Sequence, residues 1–269
     1  MSNTASGDTA TDDASEILVD LTDRIGRVTF NRPAMRNPLG PETAHHLNAA
    51  FDRLERDPDC RVIILTGSGA AFCGGADVKT LLNVEDDDME FQLGVVRDCF
   101  ALTKRVRELE LPVIAAINGH AVGGGAALAL ACDIAIASTE ANYYFAFGRI
   151  GASGADMGCT YMLPRHIGAT KAAHLILTGA TVNADKGLEL GLFVDVVPPD
   201  TLLAAAEDIA RQIIDAYPRR AAANTKSALF RAESTDLGTC LSYEAIAQNY
   251  MFRTREHKER RDAFLKRWD

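Results

Sequence analysis

Two glycine-rich segments hold the residues best suited to chemistry. The first runs Gly67-Ser68-Gly69-Ala70-Ala71-Phe72-Cys73-Gly74-Gly75-Ala76-Asp77, the second Asn118-Gly119-His120-Ala121-Val122-Gly123-Gly124-Gly125. Each follows an apolar run and leads towards a predicted helix, so small residues there let the backbone approach a ligand closely. Amides at a helix start point outward with partial positive charge. Two such loops meeting in space would present two N–H groups to one oxygen, as a carbonyl becoming an enolate requires. The glycines would equally serve turn geometry and tight helix–strand packing. Neither loop has GxGxxG spacing after the first strand, and no phosphate loop or GxSxG elbow is found along the chain.

These loops need a frame, and the surrounding pattern predicts one. EILVDLTD and IGRVTFNRP read as two strands around a turn at Asp23–Gly26, closed by Pro33. Residues 41–56 place Leu47, Ala50, Phe51 and Leu54 on one face behind Pro41, an amphipathic helix. CRVIILTGSG and PVIAAINGHAVGGG are continuous apolar runs ending in glycines, the mark of strands buried on both faces. A helix is expected over 89–110, then AALALAC as helix and DIAIAS as strand. From about residue 165 the text is mostly helical, through ATKAAHLILTG, ADKGLELG and PDTLLAAAEDIARQIIDA to one long charged helix near 241–268. Strand, glycine loop and helix in alternation predict an α/β layered fold.

Composition narrows the partners. The 269 residues include 28 Lys and Arg against 37 Asp and Glu, a net charge of −9, which argues against nucleic acid. Cys60, Cys73, Cys99, Cys132, Cys159 and Cys240 lie far apart without ligand spacing, so reduced thiols are expected, with neither disulfides nor a metal. Residues 1–15 are polar and acidic, a disordered lead-in rather than a signal or transit peptide. No apolar stretch reaches membrane-spanning length, and a cytoplasmic location is expected.

Taken with NRPAMRNPL at 31–39, the two loops resemble the crotonase superfamily, the enoyl-CoA hydratases and isomerases. The resemblance extends over roughly residues 16–268, through NRP..RN.L, AFCGGAD, PVIAAINGHAVGGG, LPRHIGATKAAHLILTG, GLFVDVV and AFLKR in that order. It implies a crotonase-like spiral of ββα units over 16–200 and a helical trimerisation region over 201–269, assembled as a homotrimer or dimer of trimers. It also implies an acyl-CoA thioester whose carbonyl oxygen rests on the amides of Ala76 and Gly124. Coenzyme A would then enter as part of the substrate, with no separate cofactor. By the same resemblance Arg36 lies near the CoA phosphates, and Gly74 and Ala76 near adenine and pantetheine. Lys79 is a further candidate cation. Phe264 and Lys266 on the last helix would reach the CoA of the same or a neighbouring subunit. Arg36 and Lys79 also fit solvated surface cations, and Phe264 fits a packing role.

The chain departs from the hydratase pattern at its reacting groups. Hydratases of this superfamily use two glutamates, one two residues after the triple glycine and one twenty residues later; those positions hold Ala127 and Phe147. Neither can transfer a proton. Asp156, nine residues before Arg165, remains as a carboxylate, and some members with a similar segment place their working aspartate there. Dehalogenase-type attack would also need aromatic and histidine partners, but Phe147 and Phe100 stand near those places. A single acid–base suits a 1,3-shift of a double bond through a dienolate. Burial beside Phe145 and Phe147 would raise the pKa of Asp156. A first-turn or capping carboxylate before MGCTYML is the other reading of Asp156. Tyr143, Tyr144 and Tyr161 are candidate hydrogen-bond donors or wall residues, and His120 a weaker candidate base. Cys73 and Cys159 read as packing residues. Phe145, Phe147 and Tyr144 hint at an aromatic-lined pocket. The sequence thus predicts an acyl-CoA-processing enzyme, an isomerase or atypical hydratase. Its rivals are an inactive acyl-CoA-binding protein and a crotonase-type hydrolase.

Overall fold

Alternation of strand, glycine loop and helix winds the chain into a spiral. A computed structural model describes residues 15–77 and 89–266; most of the expected lead-in and Lys79 lie outside the described residues. Antiparallel strands β1 (Ile17–Thr22) and β2 (Ile25–Phe30) come first. Their turn residues Asp23 and Arg24 are left-handed, at φ 52° and 68°, which matches the twist of the paired strands. Short β3 (Pro38–Leu39) leads into α1 (Pro41–Arg56), whose first residue is a proline with no helical N–H to lose. The next turn of the spiral comprises β4 (Val62–Gly67), β5 (Ala71–Cys73), β6 (Gly75–Ala76) and α2 (Met89–Glu108). It is followed by β7 (Val113–Ile117), β8 (His120–Val122) and α3 (Gly124–Ala131). Then come β9 (Ile134–Ser138), β10 (Asn142–Tyr144), a 3-10 turn (Ala146–Ile150) and α4 (Cys159–Ile167).

The remainder is mainly helical, as the sequence suggests. It comprises α5 (Ala169–Thr178), β11 (Thr181–Asn183), α6 (Ala184–Leu190), β12 (Val196–Val197), α7 (Leu202–Ala216) and α8 (Arg219–Ala232). The single terminal helix expected near 241–268 is in fact two, α9 (Leu237–Phe252) and α10 (Arg255–Leu265). The break falls at Arg253 and Thr254, where the Thr254 hydroxyl accepts the His257 N–H at 3.2 Å and caps a new helix.

First strands of successive turns form a six-stranded sheet in the order β1-β2-β4-β7-β9-β12, and second strands a four-stranded sheet β11-β10-β8-β5. The α/β spiral of ββα units is therefore the architecture. Alternate residues of the large sheet face opposite ways. Ile63, Leu65, Val113, Ala115 and Ile117 join Leu47, Phe51 and Leu102 in the main core. Val62, Ile64, Ile114 and Ala116 face Leu202, Ala206 and Ala210 of α7 on the other side. That double coverage is why the strand sequences are apolar throughout.

Helix α8, which the sequence reading passes over, is fastened by a buried cation. The Lys226 ammonium lies 2.8 Å from Asp133 Oδ2 and donates to the Val106 and Leu111 carbonyls at 2.9 and 3.0 Å. Asp133 Oδ2 in turn accepts the Val113 N–H at 2.7 Å, at the start of β7. Removing the lysine would leave the Val106 and Leu111 carbonyls without this donor and the partly exposed Asp133 carboxylate with only the more distant Arg107 for a cation. Lys226→Met is expected to destabilise the fold by about 2 kcal/mol, read as a lower urea midpoint at neutral pH with unchanged m-value.

Candidate active site

The two glycine loops touch. Strand β6 pairs in parallel with β3, Pro38 opposite Gly75 and Leu39 opposite Ala76. The Asp77 N–H donates to the Leu39 carbonyl at 2.7 Å. Because N–H groups alternate sides along a strand, the Ala76 N–H is turned away from β3. Helix α3 begins at Gly124, after Gly123 at φ 52° and ψ −116°. Its first internal bond runs from the Ala127 N–H to the Gly123 carbonyl at 3.0 Å, so the Gly124 N–H precedes the helical ladder. Gly75 sits at φ 83°, and a Cβ there would lie 2.6 Å from the Val122 carbonyl oxygen and 3.7 Å from the Gly124 nitrogen. A Cβ on Gly124 would lie 2.8 Å from Met157 Sδ and 3.2 Å from Leu39 Cδ1. Only residues without side chains allow this approach.

Two cavities meet at that contact. The larger, about 680 Å³, is lined by Arg36, Asp77, His120, Asn142, Tyr144 and Thr181 among others. The smaller, about 310 Å³, is mostly apolar, with Leu39, Val95, Phe100, Phe147 and Met157 in its wall and Asp156 beside them. Gly74, Ala76 and Val122 line both. Ala76 therefore stands at their junction, and Gly124 lines the smaller cavity.

Asp156 is placed by a loop under local strain. Its neighbour Met157 has φ 42°, unusual for a residue with a side chain. The Thr103 hydroxyl of α2 donates to the Met157 carbonyl at 3.0 Å and holds the loop against the helix. The cap of α4 is Gly158, and no side chain caps that helix. Asp156 is thus not the helix cap that one reading allowed; only its main-chain carbonyl takes part, accepting the Cys159 N–H at 2.8 Å. Burial alone pushes the Asp156 carboxyl above the ordinary carboxylate range. Burial, with Asp156 close by, also raises the Cys99 thiol to about 11 and the Cys159 thiol to about 12. Neither thiol is activated as a nucleophile.

The positions that would hold hydratase glutamates are apolar in space as well as in sequence. Ala127 is fully buried in the main core. Phe147 forms a cavity wall, its Cε1 3.5 Å from where a Cβ on Gly123 would be. Other candidates separate. Arg36, left-handed at φ 61°, is exposed in the larger groove, and its carbonyl accepts the Gly74 N–H at 2.7 Å. His120 and Tyr144 line that same groove. Phe145, expected in an aromatic-lined pocket, is instead fully buried in the core near Tyr143, which packs 5.0 Å from Phe193. Side chains alternate along β10, so Asn142 and Tyr144 face the groove and Tyr143 the core, and Phe145, just past the strand's end, is buried there too. Tyr161 is exposed under the Arg165 guanidinium, 3.5 Å from its ring centre. Cys73 is fully buried, its thiol pushed up to about 12. Phe264 and Lys266 are exposed at the end of α10 and line neither cavity within one chain. Sequence reading missed Val95, Val96 and Cys99, which line the small cavity beside Phe100 on α2. Their spacing is that of one helix face, which looks the same whether it covers a core or a ligand.

A carboxyl whose folded pKa is raised favours folding fully below its unfolded value and loses that contribution as pH rises through the folded one. Asp156→Asn removes the penalty. The variant is expected to unfold at higher urea than the parent at pH 8, with the gap closing as pH falls below the ordinary carboxylate range. A gap independent of pH would contradict the burial of this charge.

With the geometry defined, comparison with known proteins gives a consistent result. The family model described as enoyl-CoA hydratase/isomerase matches residues 20–269. The chain is 32% identical over 254 residues to the short-chain-enoyl-CoA hydratase of Clostridium acetobutylicum, covering 94% of this chain and 95% of that protein. It is 35% identical over 240 residues to the 1,2-epoxyphenylacetyl-CoA isomerase of Escherichia coli, covering 88% and 90%. The crystal structure of an enoyl-CoA hydratase from Bacillus anthracis superposes with a TM-score of 0.88 at 32% identity, covering 94% and 97%. Paired glycine loops, spiral and sequence therefore agree, and the chain belongs to the enoyl-CoA hydratase/isomerase family.

Proposed function

We propose that the protein is an isomerase that moves the double bond of a 3-enoyl-CoA thioester into conjugation with its carbonyl. The observation that carries this reading is Asp156, the only carboxyl among the described residues lining the small cavity. Ala127 and Phe147 stand where two glutamates would be needed to add water. In this reading the pantetheine arm lies in the larger groove, with Arg36 towards the phosphates, and the acyl group enters the smaller cavity. The thioester then rests at the junction, its oxygen on the Ala76 and Gly124 amides.

The reaction needs one proton to leave one carbon and return to another. Asp156 as carboxylate takes a proton from C2, and the electron pair moves into the thioester carbonyl. The resulting dienolate oxygen accepts hydrogen bonds from the two amides, fixed before the charge appears. Protonated Asp156 then delivers the proton to C4, so substrate and product have the same composition. A carboxyl with raised pKa is a stronger base towards C2 than an ordinary one, and burial supplies that rise. Support also comes from a relative named as an isomerase, although others are named hydratases.

Asp156→Asn is expected to lower turnover of 3-enoyl-CoA thioesters by about 10²–10⁴-fold while CoA-ester affinity stays within a few-fold. Mass detection of product separates the rivals. Gain of one water marks a hydratase, release of free CoA a hydrolase, and tight binding without conversion a binding protein. Full activity in the variant would remove Asp156 from the mechanism.

A further inference from the structure

We infer that the acyl group is uncharged and bulky, of the size of a phenyl or alicyclic ring on a short carbon linker. This rests on the reading above that the smaller cavity receives the acyl end of a CoA thioester. Three observations carry it: volume, charge and where the cavity ends.

An apolar cavity of about 150 Å³ holds one benzene molecule. The present one, about 310 Å³, has room for a ring and a few linking carbons beyond the thioester. A four-carbon acyl group would leave much of the Val95, Phe100 and Phe147 wall uncovered, losing the burial that drives binding. Ring edges and faces on Phe100 and Phe147 suit a flat or compact hydrocarbon partner.

The charge pattern of the described lining disfavours a second carboxylate close to the reacting carbons. Asp156 is acidic, and no Lys, Arg or His occurs among the described residues that line the cavity. The nearest cation along the 3-10 turn, Arg149, lies over the Tyr144 ring at 4.9 Å, in the wall of the other groove. A short dicarboxylic acyl chain would bring an unpaired anion beside Asp156 in an apolar place.

The cavity also runs out to the surface at its far end. Val96, Phe100 and Ile150 line it and yet are 40%, 39% and 60% exposed. The ring of the acyl group is thus expected to lie between α2 and the 3-10 turn, with its outer edge near solvent at Ile150. A short chain ends before that point.

Binding of saturated thioesters tests this apart from the reaction, because they have no double bond to move. Calorimetry with the full chain would compare butanoyl-CoA, 4-phenylbutanoyl-CoA and glutaryl-CoA. The phenyl compound is expected to bind at least about thirtyfold tighter than butanoyl-CoA, and glutaryl-CoA weaker than either. Ile150→Asp, a change at an exposed side chain, is expected to weaken the phenyl compound about tenfold and leave butanoyl-CoA unchanged. Equal affinity for the phenyl and butanoyl esters, preference for glutaryl-CoA, or an equal effect of Ile150→Asp on both neutral esters would overturn the inference. Should none of the three bind, the acyl-CoA reading itself fails; should the order hold without turnover of 3-enoyl esters, only the isomerase reading fails.

Discussion

Everything at the centre of this molecule depends on one close approach between two stretches of backbone. Gly75, beside the Gly124 nitrogen, passes so near the Val122 carbonyl that a methyl group on it would clash. The approach is fixed from both sides. Strand β6 is registered on β3, and α3 starts at the end of β8, whose pairing with β5 and β10 locks its position. Both amides are therefore carried by regular structure instead of a free loop, and on the proposed reading they need little rearrangement when charge appears opposite them. The same constraint joins the two cavities: Gly74, Ala76 and Val122 line both, while Gly75 and Gly124 line the smaller.

Beside this fixed electrostatic element sits a single titrating group whose environment is built by exclusion. Among the described residues no charged partner stabilises Asp156; burial raises its pKa. The loop that carries it is held by the Thr103 hydroxyl and by a strained Met157, whose sulfur packs towards Gly124. Phe147 adds an apolar wall to the small cavity, Ala127 lies in the core behind it, and Asp156 is the one carboxyl among the described residues that line the cavity. On the proposed reading, that arrangement suits proton shuttling within a substrate better than the addition of water to it.

Much of this was legible from residue order. Unbroken apolar runs ending in glycine marked strands covered on both faces, because β4 and β7 have the main core on one side and α7 on the other. Pro41 and the spacing of Leu47, Phe51 and Leu54 gave α1 with its limits. The rest depended on direction, which composition does not encode. Phe145 and Tyr144 are adjacent in the chain, yet Tyr144 ends β10 in the groove wall while Phe145, just past the strand, is buried in the core. Helix α8 is rich in charge and alanine and is held by the buried Lys226, a residue type that ordinarily signals a surface. The terminal helices look like one in sequence because neither Gly nor Pro separates them: α9 holds one charged residue, Glu244, α10 is charged throughout, and the cap that divides them is the single hydroxyl of Thr254. Val95, Val96 and Cys99 became site residues only when the 3-10 turn closed over the helix face they share.

The polarised carbonyl offers the most direct test. Infrared difference spectra of a saturated acyl-CoA, carbon-13-labelled at the thioester carbonyl, would be recorded free and bound to the protein. Two hydrogen bonds from Ala76 and Gly124 predict that the carbonyl stretch moves clearly to lower frequency in the complex. A bound ester with the frequency it has in water or higher would mean that these amides do not hold its oxygen.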